Sequence, residues 1–332
     1  MGSFMIVSKT PLRASLFGGG TDFMEYFHNS KYGYGTVIST TLNMYMYITI
    51  NKRFDDKIKV VYHETELVDN VDDIKHNLIR EALKLTNVTK GVEIIYSTNL
   101  PISDVGLGLA SSSAVTVGTL NALHRYKKEK ADKERLAKET VEIEINRLKQ
   151  QIGIQDQYAV SFGGFNRYYF NDDDTVKIKP IKLTLKKKKE LFDNLLLFYT
   201  GNSRDSKKIF IEQKKTIKNH SELLDKMVDI TEEAEKALNE GNIDEIGRLL
   251  NKAWIIKKQF ASGISNNKID DMYNKAINSG ALGGKVLGAG GGGFLLLYVR
   301  KEDQEKVKKT LSDYRQIEFA TSNDGSAIVY ED

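Results

Sequence analysis

The chain has 332 residues, 40% of them hydrophobic, which is enough for one large or two medium domains with buried cores. It has no cysteine, so a disulfide framework and a thiolate zinc site are excluded, and we expect a reducing, cytoplasmic location. The 49 basic and 45 acidic residues are interleaved and leave a net charge of +4, so we expect no nucleic-acid partner. The longest apolar runs, such as 294–299, are too short to cross a bilayer, so we also expect no membrane association.

The predicted elements follow the order of an α+β protein. Residues 5–62 indicate strands around one short helix, with a β-branched and aromatic strand at 37–50. Next come a helix at about 73–85, a strand at 92–96, helices at about 113–127 and 131–152, and a hairpin at 165–170 and 175–181. Further elements are a strand at 195–199, helices to about 262, a helix at 267–279, a glycine turn with strand at 285–299, a helix at 302–312, and strands at 316–321 and 326–330.

Pro180 and the lysine run 186–189 mark a predicted domain boundary. We therefore expect an N-terminal mixed α/β domain at residues 5–185 and a C-terminal domain at residues 186–332. The order of helices and strands in the second domain predicts a ferredoxin-like α/β sandwich.

The most informative stretch is residues 101–114, Pro-Ile-Ser-Asp-Val-Gly-Leu-Gly-Leu-Ala-Ser-Ser-Ser-Ala, between a strand and a helix. Gly106 and Gly108 allow the backbone to approach a polyphosphate, and the N–H groups and dipole of a helix N-terminus attract anions. The sequence has no Gly-x4-Gly-Lys-Ser/Thr, so this is not a standard P-loop. An ordinary strand–loop–helix connection with a serine N-cap explains the same residues equally well.

A second glycine-rich segment, residues 10–22, ends in Gly-Gly-Gly-Thr-Asp. Its glycines would let a ligand lie against the backbone, and the carboxylate of Asp22 could hold sugar hydroxyls. Asp22 followed by Glu25 also fits a helix capping box, and on this segment alone the cap is the simpler interpretation.

The predicted helix 131–152 contains two neighbouring glutamates, Glu142 and Glu144. Its buried stripe is defined by Ala137, Val141, Ile145, Leu148 and Ile152. Glu144 falls about 20° from the first of these and Glu142 points away. Because an inward carboxylate must be paired, hydrogen-bonded or metal-bound, Glu144 is a candidate ligand, and a lysine pair at the edge of the stripe is the alternative.

Gly153 is predicted to end that helix, and Asp156 follows it. Asp156 is either the cap of the next helix or a carboxylate that orients or deprotonates an acceptor hydroxyl. Residues 285–294 contain Gly-x-Gly-x-x-Gly, but the strand expected after it is the wrong context for a dinucleotide site. A glycine turn near a ligand fits better. The five histidines are scattered, so a zinc site is not expected.

Three motifs, at 10–22, at the loop ending 111–114 and at 285–294, occur in the order found in the GHMP small-molecule kinases. The chain resembles that family over nearly its whole length. The segments 18–22 and 155–159 are similar to the branch that phosphorylates D-glycero-D-manno-heptose phosphates. The resemblance implies the two-domain GHMP kinase fold and ATP-dependent phosphorylation of the anomeric hydroxyl of heptose 7-phosphate, giving the 1,7-bisphosphate.

The same resemblance implies site residues and cofactors. Asp156 would position or deprotonate the acceptor hydroxyl beside Arg13, and Ser113 with Glu144 would hold Mg²⁺ on ATP. The implied ATP loop comprises Gly106, Gly108, Leu109, Ala110, Ser111, Ser112 and Ser113. The implied acceptor site comprises Gly19, Gly20, Thr21, Asp22, Gly290 and Gly291, with Arg204 and Lys9 as cations for the sugar phosphate.

One departure from the family concerns the ATP loop. Ala110 replaces the last glycine of Gly-Leu-Gly if Gly108 is aligned with the first; the alternative aligns residues 106–108 with two residues inserted. Rival functions are a kinase for fucose, galactose or phosphomevalonate, a decarboxylase of the diphosphomevalonate type, and a non-catalytic sugar and ATP sensor. The sequence leaves the oligomeric state open, a homodimer included.

Overall fold

A computed structural model describes residues 4–100, 108–201 and 206–332. In these ranges the strands are β1 (Met5–Phe17), β2 (Tyr34–Lys52), β3 (Ile58–Val61), β4 (Thr65–Val68), β5 (Val92–Thr98), β6 (Phe165–Asn171), β7 (Val176–Pro180), β8 (Leu195–Tyr199), β9 (Ala281–Val286), β10 (Phe294–Val299), β11 (Gln316–Ile317), β12 (Thr321–Ser322) and β13 (Ala327–Glu331).

The helices are α1 (Met24–Phe27), α2 (Asn77–Thr86), α3 (Ser111–Tyr126), α4 (Lys133–Val141), α5 (Gln155–Phe162), α6 (Leu185–Asp193), α7 (Ser206–Thr216), α8 (Ser221–Glu240), α9 (Ile243–Lys257), α10 (Asn267–Asn278) and α11 (Gln304–Thr310). None of those described is long and apolar enough to cross a membrane.

The first sheet is built on the long antiparallel pair β1 and β2, whose register runs from Met5↔Asn51 to Phe17↔Ile38. The register shifts between Pro11 and Arg13 and again between Ser15 and Phe17. Such bulges bend a strand and re-aim its side chains, and these two flank the segment that carries Arg13. Helix α3 packs across β1 and β2.

The second sheet has the strand order β11-β8-β10-β9, with every pair antiparallel. This is the order of a ferredoxin-like sandwich, with α7 to α10 inserted between its first two strands, so the predicted fold class is confirmed. The predicted boundary near residue 185 stays a prediction. The strands β12 and β13 return to pair with β2 and β1, so the last residues of the chain lie in the first sheet.

The predicted continuous helix at 131–152 is wrong. Helix α4 ends at Val141, residues Glu142–Arg147 form a π-helical turn, and residues 148–154 are not helical. Lys149 has φ 54°, in the left-handed region, which stops helix propagation. π-Turns inside helices are frequent at functional sites, and this one carries Glu144.

An ion-pair cluster connects the first sheet to helix α8, next to the glycine loop of residues 18–22. The buried Arg167 on β6 donates to Glu232 and Glu235 of α8. Arg167 Nε also donates to Thr36 Oγ1 at 2.9 Å, and the Thr36 amide donates to Thr21 Oγ1 at 2.9 Å. The conformation of the loop is therefore held from a helix of the second domain.

Candidate active site

Arg13 and Asp156 form the centre of the site. Arg13 Nε donates to Asp156 Oδ1 at 2.8 Å and Nη2 donates to Oδ2 at 2.9 Å, which is a bidentate pair. Arg13 Nη1 also donates to the Gly108 carbonyl at 2.6 Å. Ile154 is the N-cap residue of α5 and its own side chain makes no capping bond, so Asp156, in the first turn, is not the cap that the sequence left as an alternative.

Two cavities meet at this pair. The larger, about 330 Å³, is lined by the start of α3 and by the glycine turn after β9. The smaller, about 30 Å³, is lined by the glycine loop after β1. Arg13, Asp156, Ile152, Phe210 and Gly288 line both. A carboxylate on the common wall can reach groups in either cavity.

The start of α3 is built without a serine cap. The N-cap is Ala110, with φ 67° and no side-chain capping bond, so the predicted serine N-cap is wrong, and Ser111, Ser112 and Ser113 form the first turn instead. This left-handed conformation costs an alanine about 1–2 kcal/mol and favours glycine. The backbone conformation therefore fits the alignment in which Ala110 replaces a glycine, and the three serines with Gly108 line the larger cavity.

Gly108 and Gly288 bring the two domains into contact at this cavity. A Cβ atom on Gly108 would lie 2.4 Å from the Leu287 carbonyl oxygen, and one on Gly288 would lie 2.4 Å from Gly108 Cα. Only glycine allows these two backbones to approach so closely. The loop before α3 and the glycine turn of the second domain thus form one continuous wall.

Glu144 lies beneath the first turn of α3, where it contacts Ser113. It is fully buried and accepts hydrogen bonds from Ser113 Oγ at 2.9 Å, Thr116 Oγ1 at 3.1 Å and Gln157 Nε2 at 2.6 Å. Burial raises the pKa of Glu144 to about 7. The lysine pair that the sequence left as an alternative is not formed among the described residues. Thr116 and Gln157 were not predicted, although Thr116 lies one turn after Ser113 and Gln157 follows Asp156.

Asp22 lines the smaller cavity and does not cap α1, the helix that follows it. Its Oδ1 accepts from the Gly20 amide at 3.0 Å and its Oδ2 from the Gln155 amide at 3.4 Å, while the N-cap of α1 is Phe23. Burial raises the pKa of Asp22. Gly153, predicted to end a helix, has a different role: a Cβ there would lie 2.0 Å from Asp22 Oδ2.

Two buried lysines in the smaller cavity were missed by the sequence interpretation. Lys257 Nζ donates to the Gly288 and Val286 carbonyls at 2.5 and 3.3 Å, and Lys285 Nζ donates to the Leu16 carbonyl at 3.2 Å. Burial, with repulsion from Arg13, lowers the pKa of Lys257 to about 8 and that of Lys285 well below its usual value.

The remaining predicted residues are placed as follows. Gly19 and Gly20 line the smaller cavity, and Gly290 lines the larger one. Thr21 instead turns its hydroxyl to the Gly18 and Thr36 carbonyls.

Leu109 is buried, and its carbonyl accepts from the Arg13 amide at 3.1 Å. Gly291 donates its amide to the Ile264 carbonyl at 2.7 Å. Lys9 lies over the ring of Tyr45 at 3.8 Å and lines neither cavity. Gly106 and Arg204 lie outside the described residues.

Comparisons with known proteins agree with this architecture. The model of the GHMP kinases N terminal domain matches residues 75–164, and that of the GHMP kinases C terminal matches residues 234–315. A D-glycero-alpha-D-manno-heptose 7-phosphate kinase of Campylobacter jejuni is 31% identical over 92% of this chain and 93% of the relative. The chain belongs to the GHMP kinases, phosphotransferases that use ATP and an alcohol acceptor.

Two further relatives are informative. A galactokinase of Pyrococcus furiosus is 26% identical over 91% of each chain. The crystal structure of a D-glycero-D-manno-heptose 1-phosphate kinase from Bacteroides thetaiotaomicron superposes with a TM-score of 0.74 at 25% identity, over 97% of each chain. The relatives therefore share the fold and differ in the acceptors that their names state.

Proposed function

We propose that the enzyme transfers the γ-phosphoryl group of ATP to the anomeric hydroxyl of D-glycero-D-manno-heptose 7-phosphate, giving the 1,7-bisphosphate. The name of the Campylobacter relative, at 31% identity over nearly the full length, supports this acceptor. The product would serve the synthesis of nucleotide-activated heptose for surface polysaccharides.

The position of Asp156 on the wall shared by the two cavities carries the proposal. ATP phosphates in the larger cavity and an acceptor in the smaller one would meet at this carboxylate. Asp156 would accept a hydrogen bond from the attacking hydroxyl, and the bidentate bond from Arg13 fixes its orientation. Positioning of the two reactants would supply most of the rate enhancement, as is general for phosphoryl transfer.

The start of α3 would hold the phosphates of ATP. Its first-turn N–H groups have no partner in the helix and carry the positive end of the helix dipole. Ser111 and Ser112, in that first turn, line the larger cavity. This part of the site needs no lysine of the P-loop kind.

The oxygens of Ser113 and Glu144 fit a magnesium ion. Both would supply the hard oxygen donors that Mg²⁺ prefers, and Ser113 lines the larger cavity while it donates to Glu144. No group of three His, Cys, Asp or Glu side chains that could hold a metal occurs among the described residues, so phosphates and water would complete the coordination. When bound, Mg²⁺ would neutralise phosphate charge. Thr116 and Gln157 keep the carboxylate of Glu144 in place.

The test is ADP release from ATP and Mg²⁺ with a panel of acceptors. The panel contains D-glycero-D-manno-heptose 7-phosphate, the 1-phosphate of the same sugar, galactose, fucose and phosphomevalonate. We expect turnover with the 7-phosphate. Turnover with another acceptor alone would overturn the substrate, release of CO₂ would indicate a decarboxylase, and ATP binding without turnover would indicate a sensor.

The role of Asp156 is tested with Asp156→Asn. We expect at least a 100-fold lower kcat, the lower range for loss of general base catalysis, with ATP binding unchanged. Asp271→Asn is the matched control, because Asp271 is an exposed carboxylate paired with Lys275 on the surface. Full activity of the Asp156 variant would contradict the assigned role.

A further inference from the structure

The smaller cavity contains polar groups that the phosphoryl transfer described above does not use. Ser15 lies on β1, two residues after Arg13, and its hydroxyl has no hydrogen-bond partner among the described residues, although Ser15 is only 4% exposed. Lys257, from the last turn of α9, and Lys285, from β9, line the same cavity and are also 4% exposed. Three elements from both domains therefore place donors around one space.

These lysines lack the partners that buried cations normally have. In the described part of the chain neither forms a salt bridge, and both donate only to backbone carbonyls. The one other cation in the cavity, Arg13, is paired with Asp156. The carboxylate of Asp22 lines the same cavity and attracts both lysines, but it accepts its hydrogen bonds from the Gly20 and Gln155 amides. One carboxylate does not balance two buried ammonium groups, and an anion brought by a ligand would supply the missing charge.

We infer that Ser15, Lys257 and Lys285 form a subsite for the phosphate group that the acceptor already carries. This inference rests on the proposed function, and it replaces Lys9, which lines neither cavity, as a cation assigned to that group. Its consequence is that the enzyme selects phosphorylated over neutral sugars.

The placement distinguishes the acceptor phosphate from the phosphates of ATP. Ser15, Lys257 and Lys285 line only the smaller cavity, whereas the start of α3 lines only the larger one. Two ammonium groups and a hydroxyl supply donors for several phosphate oxygens.

The electrostatics agree with an anion subsite. Burial and repulsion from Arg13 lower the pKa of both lysines, and Lys257 further lowers that of Lys285. Burial raises the pKa of Asp22 in the same cavity. A bound phosphate would favour the charged form of both lysines, so binding would take up protons.

The test compares each acceptor with and without its phosphate: heptose 7-phosphate against heptose, and galactose 6-phosphate against galactose. The variants are Ser15→Ala and Lys257→Met. The controls are Ser39→Ala, whose buried hydroxyl is also unpartnered and lies across the strand pair from Ser15, and Lys258→Met, whose lysine pairs with Asp270. Neither control residue lines the cavity.

We expect the wild type to prefer the phosphorylated acceptor. Ser15→Ala should raise KM for the phosphorylated acceptor about tenfold, with little change in kcat or in KM for the neutral acceptor. Lys257→Met should raise KM for the phosphorylated acceptor further. The controls should match the wild type. An equal fall in kcat for phosphorylated and neutral acceptors would overturn the inference and assign these groups to the transferred phosphoryl group.

The two proposals fail separately. Turnover of galactose 6-phosphate alone, lost in the variants, would refute the heptose substrate and keep the subsite. If no acceptor is turned over, thermal stabilisation by inorganic phosphate is measured with the nucleotide site saturated by a non-hydrolysable ATP analogue and Mg²⁺. Stabilisation of the wild type but not of Ser15→Ala would support the subsite, and no stabilisation of either would overturn it.

Discussion

Burial of Lys257 as a cation should lower the stability of the ligand-free enzyme, and Lys257→Met measures by how much. The pKa of Lys257 falls from an ordinary 10.5 to about 8 in the folded chain. At about 1.4 kcal/mol for each pKa unit, the penalty at pH 7 is about 3 kcal/mol.

The pH dependence is the diagnostic part of the prediction. Between pH 8 and 10.5 the unfolded chain binds a proton at Lys257 that the folded chain does not, so the free energy of unfolding of the wild type rises with pH over this window. Lys257→Met lacks that titration. The advantage of the variant should therefore shrink by about 2 kcal/mol between pH 7 and pH 9.5.

The assay is urea unfolding of both proteins without ligands at pH 7.0, 8.5 and 9.5. Taking the difference between the two proteins cancels every other titrating group that the substitution leaves unchanged. Lys258→Met is the matched control, since its lysine is partly exposed and paired with Asp270, and its difference from the wild type should be flat. A flat difference for Lys257→Met as well would refute the reasoning.

Two further predictions concern the neighbouring groups. Gly153→Ala should raise KM for the acceptor about tenfold and leave KM for ATP unchanged, because the new Cβ would lie 2.0 Å from Asp22 Oδ2 and displace that carboxylate. The measurement is steady-state kinetics with each substrate varied in turn. An unchanged KM for the acceptor would argue against Asp22 as a sugar ligand. Ser113→Ala should raise the Mg²⁺ concentration for half-maximal rate several-fold, because one of the two proposed protein ligands is lost while Thr116 still donates to Glu144. An Mg²⁺ titration of the variant that matches the wild type would contradict the ligand role of Ser113.

The fold could be predicted because its signals are local and strong. The β-branched run 37–50 became β2, and the predicted hairpin became β6 and β7, paired in register. The order of strands after residue 195 predicted the sandwich. The helix around Glu144 was wrong in extent, because a π-turn leaves no mark in a hydrophobic pattern read at 3.6 residues per turn.

The capping alternatives failed for a common reason. Asp22, Asp156 and Ser111 each occupy a position where a polar residue could cap the helix that follows, but the N-caps of those helices are Phe23, Ile154 and Ala110. Asp22 instead accepts from the first amide of α5, a helix that begins 133 residues later. Local propensity cannot distinguish a cap from a site residue, because the deciding partner lies far away in sequence. For Asp156 that partner is Arg13, 143 residues earlier.

Lys257 could have been found from its place on a hydrophobic stripe, which is how Glu144 was found. Along α9 the buried residues recur at helical spacing: Ile243, Ile246, Leu250, Ala253 and Trp254. Lys257 falls three residues after the last of these, on the same stripe, and it is buried. A charged residue on a buried stripe must have a partner or a ligand, and this rule singled out Glu144. The spacing along α9 meets the same rule, so the hydrophobic pattern alone marks Lys257 as a cation of the second domain that needs an anion.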